Sequence, residues 1–210
     1  MINLNQLYGK GNIEIIELLP GLMAMSVLFG TTSMLAVTIT FERKGRSFDR
    51  LLLAPISLNT LVFAKLSGAI MFGMINAFVP VAFGAFFADL NGINWGIIII
   101  AIFLIAVTSA LIGLLIAVSA KEVFEAQTFS NFFRFPMLFL CGLFMPIEQL
   151  PNFLKPISFC LPLTYGTDIL NGMITGNSIF NTIFSISIML IFAISLFYLC
   201  QRNIKKNWIL

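Results

Sequence analysis

Glu42-Arg43-Lys44-Gly45-Arg46-Ser47-Phe48-Asp49-Arg50-Leu51-Leu52-Leu53-Ala54-Pro55-Ile56-Ser57 is the one dense run of charge in an otherwise oily chain. Its four basic and two acidic residues separate two long uncharged segments. Ser47 suits the cap of a short helix, and Asp49 in the first turn complements the positive end of the helix dipole. Phe48, Leu51 and Leu52 fall at i, i+3 and i+4 and so share one face. Pro55 disfavours helix at Ala54 and ends the element. On these residues alone two readings stay open. One is a short amphipathic helix lying at a membrane surface; the other is a basic loop that only fixes topology by its charge.

Working outward, the composition sets the solvent. The chain has 210 residues, 59% hydrophobic and 10% charged, with a mean hydropathy of +1.00. A soluble domain carries about 25% charged residues. A fold of this length cannot hide so much apolar surface from water, so the chain is an integral membrane protein forming one membrane domain. The net charge of +3 follows topology rather than forming a groove, which argues against nucleic acid as a partner. Cys141, Cys160 and Cys200 lack CxxC or metal-ligand spacing, and a Cys141–Cys160 disulfide is a minor expectation.

Five spans are expected, at about 19–41, 66–88, 95–119, 123–145 and 179–200. Residues 1–18 form a modestly polar lead-in without a signal-peptide pattern, and residues 19–206 the transmembrane domain. Pro80 predicts a kink, Asp89 to Asn94 a tight turn, and Trp95 an interfacial anchor. The fourth span opens with Gln127, Asn131 and Arg134 on one face, a candidate intramembrane polar stripe. Residues 146–178 hold Pro146, Pro151, Pro156 and Pro162, and their apolar runs are too short to cross. They are expected to form a re-entrant pair of short helices on the outer side.

Placing the 42–65 loop inside puts all but two of the basic residues, Lys10 and Lys155, on or near the inner face, as charge bias requires. The N-terminus is then outside and the C-terminus inside. Catalytic motifs are missing: there is no HExxH, no GxSxG and no Walker A lysine. Glu148 and Asp168 read as solvated outer carboxylates, with a carboxylate pair as the alternative. Arg134 reads as an arginine snorkelling to the inner interface, with an intramembrane role as the alternative. Ser109, Gly113 and Ala117 form a small-xxx-small row, expected to be a helix-packing face.

The charged stretch resembles the cytoplasmic motif of ABC-2 type transporter permeases. The matching residues are Glu42-Arg43, Ser47, Asp49-Arg50-Leu51-Leu52 and Pro55-Ile56-Ser57; Arg46 departs, standing where the family often has glycine. A second similarity runs through Phe135-Pro136, Phe139 to Pro146, Leu150-Pro151 and Leu161-Pro162-Leu163-Thr164-Tyr165. There Cys141 replaces a common serine, and Asn171 a frequent arginine. The two motifs, in the family's order, cover residues 19–200.

The resemblance implies the permease subunit of an ATP-driven exporter, pairing with a second permease copy and with ATPase subunits that carry ATP and Mg. The chain itself is then no enzyme and binds no cofactor. Glu42, Arg43, Phe48, Asp49, Leu51, Leu52 and Pro55 would couple to the ATPase. Gly142, Pro146, Pro151, Pro162 and Tyr165 would belong to the outer gate. The cargo would be amphipathic or lipid-like, with membrane lipid as a further partner. The family normally has one more spanning helix before the equivalent of Leu19, so a truncated start, a first helix on another chain, or a nonfunctional remnant is expected. Rival classes are a gradient-driven carrier or channel and an intramembrane enzyme.

Overall fold

The structure, a computed structural model, describes residues 4–45, 57–86, 93–142 and 147–208, with side chains described between residues 16 and 204. Within these residues the chain is helical, without strands. Five long helices are α1 (Leu4–Lys44), α2 (Leu58–Gly84), α3 (Trp95–Ser119), α4 (Val123–Leu140) and α7 (Thr182–Trp208). Between α4 and α7 lie a 3-10 turn (Ile147–Gln149), α5 (Lys155–Phe159) and α6 (Pro162–Ile174).

Among the described residues four helices are long and apolar enough to cross a membrane, over Ile16–Lys44, Asn59–Gly84, Trp95–Ser119 and Thr182–Ile204. The third has the bounds expected from sequence. The first belongs to a longer helix: α1 begins at Leu4, within the residues read as a lead-in, and continues through Pro20. A proline removes one backbone donor, and the residues before this one carry on the helix regardless. The second starts earlier than expected: Ser57 caps it, its hydroxyl accepting from the Thr60 N–H at 3.2 Å. Lys65 therefore lies inside α2 rather than in a loop. The helix continues through Pro80 to Gly84. The turn expected at Asp89 to Asn94 lies largely outside the described residues, as do Arg46 to Ile56 of the charged stretch.

The remaining expected span corresponds to α4, an 18-residue helix that is not among the four, since Glu125, Gln127, Asn131 and Arg134 dilute its apolar character. Glu125 helps start it by accepting from the Lys121 backbone N–H at 2.8 Å, one of the donors a helix start leaves open.

Cross-helix contacts fix the directions. Thr32 meets Ser109, and Arg43 meets Ala117, so α1 and α3 run the same way. Glycines place α2 antiparallel to α1: a Cβ at Gly73 would meet Thr31, and one at Gly84 would meet Leu19. Lys44 pairs with Glu122 at 3.1 Å, while Arg134 meets Ser33, so α4 also opposes α1. Ile204 joins Leu35, Ile39 and Leu114 in one apolar cluster, which sets α7 parallel to α1 and α3.

The pair α1–α3 is the spine. Gly113 lets the two backbones close, because an added Cβ would lie 2.9 Å from the Thr32 carbonyl oxygen. That is the packing role expected of the Ser109, Gly113, Ala117 row. Toward one end Met23, Leu28, Ile98, Ile102 and Ile105 pack with Leu163, Ile169 and Leu170 of α6. Toward the other, Leu35, Ile39, Leu111 and Ala117 pack with α2 and α7. Phe63, Met71, Phe72 and Ile75 of α2 and Ile183, Ile191 and Ile194 of α7 face outward, as they should where the surroundings are lipid.

Candidate functional site: a charged clamp, a buried arginine and a capped connecting segment

Three polar constellations sit at three levels of the bundle. The first is at the end of α1 that leads into the charged stretch. Glu42 pairs with Lys65 of α2, and Lys44 with Glu122 at the start of α4. Arg43 donates from Nη1 to the Ala117 carbonyl at 2.9 Å and to that of Ala120 at 3.4 Å. The last carbonyls of a helix have no partner within it and carry its negative dipole end, so a guanidinium there both satisfies and neutralises them. One turn of α1 thus grips α2, α3 and α4. Of the residues that the resemblance assigns to coupling, Glu42 and Arg43 are in this clamp. Phe48, Asp49, Leu51, Leu52 and Pro55 lie outside the described residues.

The second constellation is Arg134 on α4. It is buried inside the bundle, 1% exposed, and donates from Nη2 to the Ser33 hydroxyl of α1 at 2.7 Å. Its guanidinium carbon stands 4.9 Å from the centroid of the Phe29 ring, a cation–π distance. Ser33 precedes Arg43 by ten residues, about 15 Å along a helix, which separates Arg134 from the clamp. Snorkelling is overturned because the side chain sits on the face of α4 turned toward α1. A charge buried in protein is costly unless it is paired and hydrogen-bonded. Asn131, one turn away and half-buried, offers Oδ1 at only 3.5 Å. Gln127 is half-buried on the same stripe. Ser130, fully buried one turn before Arg134, was missed from sequence although its i, i+4 spacing was visible. Ser33 had no local signal, being one hydroxyl in a run of them.

The third is the segment of short helices between α4 and α7. Gly142 follows α4 with φ of 82°, the left-handed conformation that favours glycine at a helix end. The carbonyls α4 leaves open are taken from outside the helix. Ser158 Oγ donates to Leu140 O at 2.6 Å, and Thr167 Oγ1 lies 2.7 Å from Cys141 O. Thr164 Oγ1 donates to Ser158 O at 2.6 Å and Tyr165 Oη to Phe159 O at 2.9 Å, which ties α5 to α6. The Tyr165 ring packs 5.7 Å from that of Phe180. Pro162 is buried in the first turn of α6, where its missing N–H is not needed. Pro151 is exposed, and Pro146 is outside the described residues.

Asp168 corrects its reading as a solvated carboxylate. It is 5% exposed and accepts from the N–H groups of Ile179 at 2.7 Å and Phe180 at 3.2 Å and from the Ser185 hydroxyl at 3.2 Å. Burial pushes its carboxyl up from the ordinary range, against the pull of those three donors. It fastens the α6–α7 connection. The side chain of Glu148 lies outside those described. Cys141 and Cys160 are not joined in a disulfide.

The described residues hold no group of side chains able to bind a metal ion. What they show is a helical bundle with a charged grip at one end and a hydrogen-bonded segment of short helices at the other. The family model described as ABC-2 type transporter matches residues 2–175, and the chain belongs to that family. It is similar to the inner membrane transport permease YadH of Escherichia coli K12, 23% identical over 190 residues that cover 90% of this chain and 74% of that protein. It is similar to nodulation protein J of Rhizobium meliloti, 24% identical over 89% of this chain and 72% of the relative. A third relative, the linearmycin resistance permease protein LnrN of Bacillus subtilis, is 29% identical over 80% of this chain and 44% of its own length. The chain is accordingly the membrane permease subunit of an ABC-2 exporter; it is not an enzyme, and the ATPase is a separate subunit. It is a multi-pass protein of the cell membrane.

Proposed function

We propose that this subunit exports an amphipathic or lipid-like cargo, and that the clamp of Glu42, Arg43 and Lys44 carries motion from the ATPase into the bundle. The carrying observation is that clamp: the α1 turn that opens the charged stretch is bonded to α2, α3 and the start of α4 at once. A push on residues 47–54, docked through Phe48, Leu51 and Leu52 in an ATPase groove, then reaches three helices as a rigid-body movement. ATP and Mg would be held by that partner.

In this reading α4 is a fifth crossing. The directions of the helices agree with it: α1, α3 and α7 run one way, α2 and α4 the other. The clamp end carries Arg43, Lys44, Lys65 and Lys121, so it is the inner end by charge bias, and the C-terminus is cytoplasmic. The 147–174 segment, with Gly142 and Tyr165, is a re-entrant outer gate. A second permease copy and surrounding lipid complete the transporter. The cargo class is supported by the apolar helix faces, with Phe63, Met71, Phe72 and Ile75 of α2 and Ile183, Ile191 and Ile194 of α7 exposed.

The test is co-purification of an ATPase subunit with this chain, followed by reconstitution and ATP-dependent export. Export that follows an ion gradient, with no bound ATPase, would replace the reading with a gradient-driven carrier.

A further inference from the structure

Arg134 is a cation at the middle of the bundle with no carboxylate paired to it among the described residues. Its Nε is buried without a hydrogen-bond partner, and so is the hydroxyl of Ser130. These atoms belong to residues four apart on one helix, which places the side chains side by side. Both are on the face of α4 that meets α1, where Ser33 already accepts from Nη2 at 2.7 Å. Buried donors are normally satisfied, and a pair left open calls for an acceptor that the described residues do not provide. A guanidinium offers donors in a fixed fork that matches a phosphate or a carboxylate. The opposite side of α4 is apolar, with Phe132, Phe133 and Phe135 exposed.

We propose that Arg134, Ser130 and Ser33, between α4 and α1 at mid-depth, bind the anionic headgroup of an amphipathic cargo. The inference rests on the permease reading and narrows it: the cargo carries a negative group as well as an apolar tail. In the conformation seen here the site is closed, since Arg134 is 1% exposed. α4 is at the rim of the bundle, and its separation from α1 is the movement that admits the headgroup. The phenylalanine face of the same helix takes the tail. The arginine then holds charge in the cargo where the membrane would otherwise oppose it.

Binding is read on the purified permease–ATPase complex with fluorescent lysophosphatidic acid, with chain-matched lysophosphatidylcholine, and with inorganic phosphate as competitor. Lysophosphatidic acid is expected to bind about tenfold more tightly than the zwitterionic lipid, the worth of a charge-assisted hydrogen bond. Arg134→Gln should erase that preference, Arg134→Lys should keep part of it, and Ser130→Ala should reduce it. If Arg134→Gln does not fold, the Lys and Ala variants decide, together with the rise in melting temperature that each lipid gives the unmodified complex. Equal affinity for both lipids, or a preference undiminished in these variants, overturns the proposal. Competition by phosphate alone as effective as by the lipid would make the ligand a free anion and overturn the amphipath. Because binding is read without turnover, a complex that binds with this selectivity but exports nothing contradicts the permease reading and leaves the site standing.

Discussion

The Thr167 hydroxyl of α6 lies 2.7 Å from the carbonyl oxygen of Cys141 at the end of α4. It has further acceptors in Thr164 O at 2.9 Å and Leu163 O at 3.1 Å. One hydroxyl proton serves one acceptor at a time, and only the bond to Cys141 joins two elements. Thr167→Val keeps the shape and removes the donor. It is expected to lower stability by about 1–3 kcal/mol, the cost of an unsatisfied buried acceptor, while Thr167→Ser stays near the parent. Thermal unfolding in detergent checks both, and a Val variant as stable as the parent would show that the cap contributes nothing.

Gly113 and Gly68 make a contrasting pair. A Cβ at Gly113 would press on Thr32 backbone atoms, whereas one at Gly68 would meet nothing within 4 Å. Gly113→Val should therefore push α1 and α3 apart and cost about 1–3 kcal/mol. Gly68→Ala should be neutral or stabilising by up to about 1 kcal/mol, since glycine weakens a helix interior. Melting temperatures that move alike in the two variants would contradict the close approach.

Much of the fold was legible because membrane insertion writes its constraints in one dimension. The charge-free run of α3 gave its bounds directly, and the Ser109, Gly113, Ala117 row gave its packing face. The helix ends were less legible: Lys65 looked like loop until Ser57 was seen capping α2. The site was legible only where one helix carried it. Gln127, Asn131 and Arg134 stood out by spacing, but the depth of Arg134 depends on Ser33, 101 residues away in sequence. Asp168 was misread for the same reason, since the donors that hold it come from the next connection and helix.

Asp168 also gives a pH dependence. Its carboxyl is raised by burial, so the folded state holds the proton more tightly than the unfolded chain does. The associated stability is fully present below the ordinary value of 3.8 and is lost as pH rises through the raised folded value. Asp168→Asn should flatten that part of the stability–pH curve. It should also lower stability above that raised value, where the ionised carboxylate accepts from all three donors, because an amide has one acceptor oxygen for them and turns N–H against the rest. An unchanged pH profile would mean that the carboxyl is not held as described.

Arg43 tests the coupling. Its guanidinium bonds the Ala117 and Ala120 carbonyls at 2.9 and 3.4 Å, and the charged stretch begins in the same turn of α1. If that turn carries motion to α3, Arg43→Ala should uncouple the machine without emptying the membrane of permease. The loss of a charged hydrogen bond is worth about 1.5–3 kcal/mol, enough to let the end of α3 move independently of α1 without unfolding the bundle. ATP hydrolysis by the bound ATPase should continue, while the amount of cargo exported per ATP falls several-fold. Arg43→Lys keeps the positive charge at the helix end but not the fork, and should fall between the two. Leu52→Asp, by contrast, should abolish cargo-stimulated hydrolysis itself, because an unpaired carboxylate in a docking groove is costly. A reporter after Leu210 should meanwhile read cytoplasmic and one within 150–160 external, which fixes the side on which the coupling takes place. Unchanged export per ATP in Arg43→Ala would assign the bond to helix capping alone.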